Sequence, residues 1–279
     1  MRGLLVLLGC CLLSACATVQ VAERNFIRPD RVSGAKPAGR FDAAALPPAA
    51  SLKDEALAVA DGAVARGVSV SQPGAPATVL YFGGNMFHLD AHGAEVAAVL
   101  AGCGVNVVMF DYRGYGRSDG EPTIATMQSD ALRIYDHVNA QHPGRVIVHG
   151  QSLGSFIAAY VAQQRLARAL VLESTTTNAL DWANANTPWY ARPFVSIELS
   201  APLRGIDTIA ALRDFGGASL VLIGERDRTT PPALAHKVYQ AIPGRAKSEL
   251  LVAGAGHNDV LTHPDTAPAY CAFVRRASL

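Results

Sequence analysis

The sequence has little charge of either sign and no surplus of one. Only 17% of its 279 residues are charged, and 24 Lys+Arg stand against 23 Asp+Glu, for a formal net charge of +1. Such a balance supplies no field that would attract nucleic acid, and the charges form no block along the chain. We therefore expect no nucleic-acid partner. Half of the residues are hydrophobic, which excludes a disordered chain.

Long uncharged hydrophobic runs are absent beyond the first residues. The opening MRGLLVLLGCCLLSAC has one basic residue, Arg2, followed by a short apolar stretch that ends on small residues. A transmembrane helix needs about 20 apolar residues, and this stretch is shorter. Residues 1–15 are therefore interpreted as a secretory signal peptide.

The end of that segment, Leu13-Ser14-Ala15-Cys16, resembles the lipobox of bacterial lipoproteins, in which the cysteine thiol receives a diacylglycerol before the signal is cut. The resemblance implies that Cys16 is lipidated and begins the mature protein. We then expect a lipid-anchored lipoprotein of the cell envelope, held to the membrane by the lipid. Ala17 stands where some lipoproteins carry the Asp that retains them at the inner membrane, so the outer membrane is expected in a cell that has two.

Cysteine is scarce, with 5 in the whole chain. Cys10 and Cys11 would leave with the signal peptide, and Cys16 would be acylated. Only Cys103 and Cys271 would remain as thiols. Two thiols in an exported protein can form a disulfide, but sequence separation does not show whether they are close. We treat both as buried, unpaired apolar residues, with pairing as the alternative.

The chain after Cys16 divides into two parts by composition. Residues 16–52 combine Ala, Gly and scattered charge with four prolines, a composition typical of a tether that can pack on the body without needing to. Residues 53–279 are regular enough to form one domain. The prolines of the first part are Pro29, Pro37, Pro47 and Pro48.

Regular alternation of strands and helices begins near residue 56. An Asp-Gly turn at 61–62 predicts a hairpin of residues 56–60 and 65–71. Six short runs rich in Val, Leu and Ile follow, each typical of a strand buried on both faces: 77–82, 105–110, 145–149, 168–173, 219–223 and 248–252. Helical patterns separate them at 91–102, 124–140, 155–165, 231–241 and 264–276. The order predicts an α/β fold with a mostly parallel eight-stranded sheet and helices on both faces.

One loop that follows a strand carries a nucleophile motif. GQSLG at residues 150–154 comes directly after a predicted strand and directly before a small-residue helix. This is the strand, turn and helix context that the GxSxG nucleophile elbow requires. The turn is tight, so side chains in place of Gly150 and Gly154 would collide with the neighbouring strand and helix. Ser152 is the candidate nucleophile.

A serine hydroxyl needs a base that takes its proton and a carboxylate that orients the base. Asp227 follows the strand SLVLIG, and His257 follows the strand SELLVA in a glycine-rich turn, so both stand at carboxyl ends of strands in the order Ser, Asp, His. Glu173, at the end of an earlier strand, is the serious competitor for the acid. Weaker rivals for that role are Glu225 and Asp259.

The developing oxyanion needs two N–H donors. One is expected from the residue after the nucleophile, Leu153. The other is expected from the loop GGNMFHLD at residues 83–90, with Asn85 as the backbone donor and Met86 as the alternative. A tight turn with no catalytic part is the competing interpretation of Gly83-Gly84.

Further stretches carry a family resemblance. DYRGYGRSDGEP at residues 111–122, with Asp130 in the following helix, is similar to the loop after the fourth strand in serine α/β-hydrolases of the Bem46 and ABHD type, which are related to the serine aminopeptidase S33 group. VADGAVARGV at residues 59–68 resembles the opening hairpin of that family. The resemblance implies the α/β-hydrolase fold, with a nucleophile, acid, base and oxyanion donors at Ser152, Asp227, His257, Asn85 and Leu153.

Two positions depart from the family pattern. The family usually has His-Gly before the oxyanion residue, where this chain has Gly83-Gly84, and its elbow is often followed by a second glycine, where this chain has Ser155. The first departure removes a side chain that shapes the oxyanion loop. It therefore bears on the prediction of Asn85 as an oxyanion donor and does not affect the prediction of Ser152 as the nucleophile.

Residues 174–206 lie between the sixth and seventh predicted strands, where the family places a small cap. Both tryptophans fall in this insert, together with Tyr190 and Phe194. Aromatics over the serine indicate an apolar acyl or aryl group as substrate; the alternative is that they only dock the insert on the body.

The expected function is hydrolysis of a carboxylic ester through an acyl-enzyme. We expect a monomer that acts on a small-molecule ester without metal or cofactor. An S33-type aminopeptidase is the second possibility, and it would need an acidic group for the substrate's ammonium, for which Glu198 and Asp181 are the candidates. The other possibilities are acyl transfer and a lipoprotein that uses a non-catalytic hydrolase scaffold for binding.

Overall fold

A computed structural model describes residues 17–35 and 39–278. The predicted signal peptide and the lipidation at Cys16 lie outside the described residues. Within the described residues, no helix combines the length and apolar character that crossing a membrane requires.

An eight-stranded sheet forms the centre of the molecule, with the order β10-β9-β7-β6-β4-β5-β3-β2. Only the pairs β2–β3 and β3–β5 are antiparallel, and the other neighbours run parallel. The predicted fold class is confirmed, and the strand bounds lie close to those expected except for β2, which begins five residues before the predicted strand at 56–60. With β1 and β8, which pair separately, the strands are β1 Ala17–Val21, β2 Ser51–Ala58, β3 Val64–Ser71, β4 Thr78–Phe82, β5 Asn106–Phe110, β6 Val146–Gln151, β7 Ala169–Glu173, β8 Val195–Leu199, β9 Ala218–Gly224 and β10 Lys247–Val252.

Helices cover both faces of this sheet. Every residue of β4, β5, β6 and β7 is buried, as their Val-rich and Leu-rich sequences predict. One face packs against α4, α5 and α9, and the other against α3 and α10. The helices are α1 Glu23–Phe26, α2 Asp30–Ser33, α3 Ala94–Ala101, α4 Ile124–Gln141, α5 Leu153–Gln164, α6 Ala179–Ala185, α7 Ala201–Arg204, α8 Thr208–Ala211, α9 Pro232–Ala241 and α10 Thr266–Ser278.

The segment expected to be a tether contacts the body closely. Strand β1 pairs in parallel with β8, so that Ala17 lies beside Val195 in the insert between β7 and β9. Phe26 and Ile27, which follow β1, are 8% and 2% exposed. Part of the segment predicted to be a tether therefore reaches the core, which its Pro-rich composition did not indicate.

The two remaining cysteines form a disulfide. Cys103 follows α3, Cys271 lies in α10, and their Cα atoms are 4.9 Å apart, a separation that suits a disulfide. Our expectation of two unpaired thiols was wrong. Because α3 and α10 pack on the same face of the sheet, residues 168 positions apart become neighbours, and no local pattern reveals that proximity.

Candidate active site

Ser152 occupies the sharp turn between β6 and α5. Its backbone has φ 52° and ψ −115°, a conformation that non-glycine residues rarely adopt. The turn is closely packed: a Cβ on Gly150 would overlap the Gly154 carbonyl, and a Cβ on Gly154 would overlap the Phe82 carbonyl. The two glycines are therefore needed for the sterically tight turn, which holds the serine at the carboxyl end of the central strands.

The structure brings the three predicted side chains into one chain of hydrogen bonds. His257 Nε2 lies 2.9 Å from Ser152 Oγ, and His257 Nδ1 lies 2.8 Å from Asp227 Oδ2. Asp227 follows β9 and His257 follows β10, so parallel strands deliver both loops to the same edge of the sheet. With Nδ1–H donating to the carboxylate, Nε2 is left free to accept the serine proton.

Asp227 is held as a carboxylate by a dense set of donors. Its Oδ1 accepts hydrogen bonds from the backbone N–H groups of Thr229 and Thr230, each at 2.8 Å. Burial favours the neutral acid, but hydrogen bonding and charge attraction from His257, together with the Thr230 bonds, outweigh it and lower the pKa of Asp227 below its ordinary value.

Thr230 is a site residue that the sequence reasoning missed. Its hydroxyl lies 2.7 Å from Asp227 Oδ2, 2.9 Å from the Ser174 carbonyl and 3.2 Å from His257 Nδ1. A hydroxyl has one proton and two lone pairs, so it can donate to only one of these partners at a time. An Asp in a turn commonly accepts backbone N–H groups of the residues that follow it, but no sequence pattern singles out the bond from the Thr230 hydroxyl.

The competing carboxylates occupy supporting positions. Glu173 is buried beneath the site, where its Oε2 lies 3.1 Å from His149 Nε2 and its Oε1 accepts the Leu261 N–H. Glu225 accepts the Gly254 N–H and Asp259 accepts the Gly256 N–H. All three therefore brace the loop that carries His257.

The loop after β4 lies against the elbow. A Cβ on Gly84 would overlap Oε1 of Gln151 and would lie 3.4 Å from the Ser152 Cβ. This close approach explains the glycine and places Asn85 and Leu153 around the serine, where both line the same cavity. Met86 follows with φ 67°, a strained backbone conformation.

Both departures from the family pattern have a physical explanation. The ring of Phe87 fills the space next to Gly83, so that a Cβ there would overlap it. The aromatic ring thus occupies the volume that a side chain at position 83 would need. Ser155 donates its hydroxyl to the Ser152 carbonyl at 2.6 Å and supports the first turn of α5.

A cavity of about 310 Å³ opens over Ser152. Its apolar walls come from Phe26, Phe156 and Trp182, and its polar lining includes Asn25 and Asn258. No Asp or Glu lines it, and in residues 17–35 and 39–278 no cluster of three or more His, Cys, Asp or Glu could hold a metal ion. The volume is at the lower end of the range for small-molecule sites.

The aromatics of the insert have different environments. Trp182, in α6, lines the cavity, and its ring packs edge-on against Phe26 with centroids 5.2 Å apart. Trp189, Tyr190 and Phe194 are 79%, 64% and 51% exposed. Trp189, Tyr190 and Phe194 therefore neither cover the serine nor dock the insert, contrary to both expectations for them.

A strained serine at a strand-to-helix turn, on the carboxyl edge of a mostly parallel sheet, defines the α/β-hydrolase class, and this chain belongs to that class. Within it, the chain is similar to hydrolases of the ABHD and S33 type. The family model described as serine aminopeptidase, S33 matches residues 75–201, which include the oxyanion loop and the elbow.

Curated relatives are similar over about 60% of the chain. An uncharacterized protein of Mycobacterium tuberculosis is 31% identical over 169 residues, which cover 60% of this chain and 58% of that one. The mouse lysophosphatidylserine lipase ABHD12 is 30% identical over 186 residues, which cover 61% of this chain and 46% of the lipase. The chain thus spans about half the length of the curated relatives it matches.

Solved structures match over a longer region. The Pyrococcus furiosus esterase Pf2001 superposes with a TM-score of 0.65 at 20% identity, covering 82% of this chain and 93% of the esterase. At that identity the similarity concerns the fold.

Proposed function

We propose that this protein is a serine hydrolase that acts through an acyl-enzyme, with a carboxylic ester of an apolar acyl or aryl group as substrate. The observation that carries the proposal is the continuous set of bonds from Ser152 Oγ through His257 to Asp227, at 2.9 and 2.8 Å, beside a cavity. These distances are within the reach that nucleophilic catalysis needs.

In the proposed reaction, Ser152 Oγ attacks the ester carbonyl carbon while His257 Nε2 takes the hydroxyl proton. The tetrahedral intermediate collapses with loss of the alcohol, to which His257 returns the proton. Water then attacks the acyl-enzyme by the same proton transfers, releasing the acid and restoring Ser152. Asp227 keeps its charge throughout and stabilises the imidazolium that forms in each step.

The N–H groups of Leu153 and Asn85 are proposed to bind the oxyanion. In support, both residues line the cavity next to Ser152, and the helix that begins at Leu153 directs its amino end toward the same place. One such donor contributes about 3 kcal/mol to lowering the barrier.

Ester hydrolysis fits the cavity better than aminopeptidase activity does. An aminopeptidase needs a carboxylate near the bound ammonium, and no Asp or Glu lines this cavity. The two candidates are engaged elsewhere: the Asp181 carboxylate accepts bonds from the Thr177 hydroxyl and the side chain of Asn178, the N-cap of α6, and Glu198 accepts a bond from Gln20. The curated relative named as a lipase and the esterase of similar fold agree with this choice.

The nucleophile is tested by labelling the purified protein with a fluorophosphonate. We expect labelling of the wild type and none of Ser152→Ala, whose turnover should fall at least ~10⁴-fold. Equal labelling of both proteins would move the nucleophile to another residue. No labelling of either would favour a non-catalytic binding scaffold.

The bond type is tested with acyl esters of graded length, aryl esters and aminoacyl amides. We expect ester turnover to exceed amide turnover. Preference for an amide with a free amino group would establish the peptidase alternative. An increase in turnover when an alcohol is added, with the acyl group passing to that alcohol, would indicate acyl transfer.

We propose further that Cys16 carries a lipid that holds the protein to a membrane of the cell envelope, the outer one in a cell that has two. The support is the LSAC sequence after an apolar segment. Growth with a labelled palmitate should label the wild type, and Cys16→Ala should remain unlabelled and unprocessed. A labelled Cys16→Ala protein would place the acyl group on another residue.

The expected monomeric state is tested by size-exclusion chromatography in detergent.

A further inference from the structure

We propose that residues 22–30, here named the N-terminal strap, are a working part of the active site. The strap holds the oxyanion loop in its shape and supplies the wall of the pocket that takes the substrate's apolar group. This inference rests on the proposed serine hydrolase function. Asn25, Phe26 and Arg28 of the strap all line the cavity over Ser152.

The first part of the argument concerns the side chain of Asn85. Its Nδ2 donates to the Phe26 carbonyl at 2.7 Å, and its Oδ1 accepts the Arg28 N–H at 3.1 Å and the Tyr115 hydroxyl at 2.8 Å. An amide offers two donors and two lone pairs, so three of its four bonding positions are filled, two of them by the strap backbone. Since the side chain faces the strap, the Asn85 N–H is held in one orientation relative to Ser152.

The strap also holds the far end of the oxyanion loop. Asp30 Oδ1 lies 2.6 Å from Nε2 of the buried His88, and Asp30 Oδ2 accepts the Gly116 N–H at 2.9 Å. Met86, with its positive φ, lies between Asn85 and His88, both of which bond to the strap. A strained backbone persists only where its surroundings enforce it, and here the strap bonds to both sides of the strained residue.

The strap closes the apolar side of the pocket through Phe26. Its ring lies 5.2 Å from Trp182 and 6.0 Å from Phe156, between the insert helix and the helix that follows the nucleophile. All three rings line the cavity. Without Phe26 an acyl or aryl group in the cavity would lose one of three aromatic surfaces.

Attachments away from the cavity hold the strap in place. Glu23 Oε1 accepts the Ile124 N–H at the start of α4, at 2.7 Å, and Ile27 is 2% exposed. The strap is therefore expected to stay seated when one of its contacts to the oxyanion loop is removed. Such a substitution should change the geometry of the loop and leave the fold intact.

The first experiment measures kcat and KM separately for Asn85→Ala, together with its rate of fluorophosphonate labelling. The backbone donor remains but loses its support, so we expect kcat and the labelling rate to fall about 10-fold to 100-fold, with KM changed less than about threefold. Asn85→Asp keeps an acceptor oxygen for the Arg28 N–H and the Tyr115 hydroxyl but replaces the donor to the Phe26 carbonyl by a second oxygen, so its kcat should also fall below that of the wild type.

The second experiment tests the strap itself. Asp30→Ala should lower kcat in the same way as Asn85→Ala. Phe26→Ala should reduce kcat/KM for a long-chain or aryl ester about tenfold relative to an acetyl ester, mainly through KM, and Phe26→Leu should restore much of that preference because it keeps apolar volume. Arg31→Ala is the matched control, since its exposed pair with Glu121 lies away from the cavity, and it should match the wild type.

The proposal is overturned if Asn85→Ala and Asp30→Ala keep kcat within twofold of the wild type, or if Phe26→Ala leaves the preference among esters unchanged. It is also overturned if the losses in kcat appear equally in Arg31→Ala. Failure of the underlying hydrolase function gives a different result, because the wild type itself would then show no labelling that depends on Ser152.

Discussion

Two buried carboxylates, Asp227 and Glu173, each lie against a histidine of their own, and the surroundings of the two pairs differ. His257 is bonded to Asp227, with its other nitrogen 2.9 Å from Ser152 and 16% of its side chain exposed at the cavity. His149 lies 3.1 Å from Glu173, is fully buried, and has its other nitrogen 3.1 Å from the Tyr270 hydroxyl. The pair of His257 and Asp227 adjoins the Ser152 hydroxyl, whereas the pair of His149 and Glu173 is enclosed by other side chains.

The comparison shows that a carboxylate and a histidine in contact do not by themselves make a catalytic pair. The difference lies in access: the His257 ring reaches the hydroxyl of Ser152, the proposed nucleophile, beside a cavity, and the His149 ring is enclosed beneath the loop that carries His257. Glu173 also accepts the Leu261 N–H, so the buried pair supports the loop that carries His257.

The largest expected effect separates the two carboxylates by activity. Asp227→Asn should lower kcat about 10⁴-fold, because an amide favours the wrong imidazole tautomer and cannot stabilise the cation. Glu173→Gln should stay within about tenfold of the wild type, since Gln can still accept the Leu261 N–H. Steady-state ester hydrolysis measures both, and the reverse order would assign the acid to Glu173.

The next largest effect concerns the disulfide, which lies beside the buried pair of His149 and Glu173. Tyr270, which contacts His149, precedes Cys271 in α10. Replacing both Cys103 and Cys271 by Ser should lower the free energy of unfolding by about 2–5 kcal/mol, because the crosslink closes a long loop in the unfolded chain. Urea unfolding measures the loss, while the labelling rate of Ser152 should stay the same. Unchanged stability of the double variant, or two free thiols in the wild type by mass spectrometry, would contradict the disulfide.

A smaller effect is expected from the Tyr270 hydroxyl. Burial, with added repulsion from Glu173, raises the pKa of Tyr270 well above its ordinary value, so the phenol keeps its proton. Tyr270→Phe removes the partner of His149 and should lower the free energy of unfolding by about 0.5–1.5 kcal/mol with activity retained. A large loss of kcat without a loss of stability would mean that the buried pair takes part in the reaction.

The smallest effect concerns acid. Because the pKa of Asp227 is lower in the folded protein than in the unfolded chain, its charge stabilises the fold above the unfolded pKa of about 4, and this contribution is lost as the pH falls through the folded value. Urea unfolding between pH 6 and pH 2 should therefore show a steeper acid loss for the wild type than for Asp227→Asn. Parallel curves would show that the carboxylate titrates normally.

Elements fixed by nearby residues were predictable. The buried strands follow from runs of Val, Leu and Ile, and the elbow follows from GQSLG because two glycines and a serine specify one tight turn. Asp227 and His257 were expected together because parallel strands place their following loops at one edge. The structure brings both to Ser152.

Elements fixed by distant residues were not predictable in the same way. The disulfide depends on two helices packing on one face, and the strap depends on the Asn85 side chain bonding to backbone groups almost 60 residues earlier. Backbone partners leave no trace in residue type. Only the adjacent apolar Phe26 and Ile27 hinted that the supposed tether enters the core.

The pairing of β1 with β8 has a consequence for the order of folding. Ala17 lies beside Val195, so this two-stranded sheet cannot form until the chain has supplied nearly 180 further residues. Contacts of such long sequence separation form slowly, because loop closure must precede them. Strand β1 thus finds its partner in the second half of the chain, and the pocket wall that follows it is completed only after the chain has supplied Phe156 and Trp182, against which Phe26 packs.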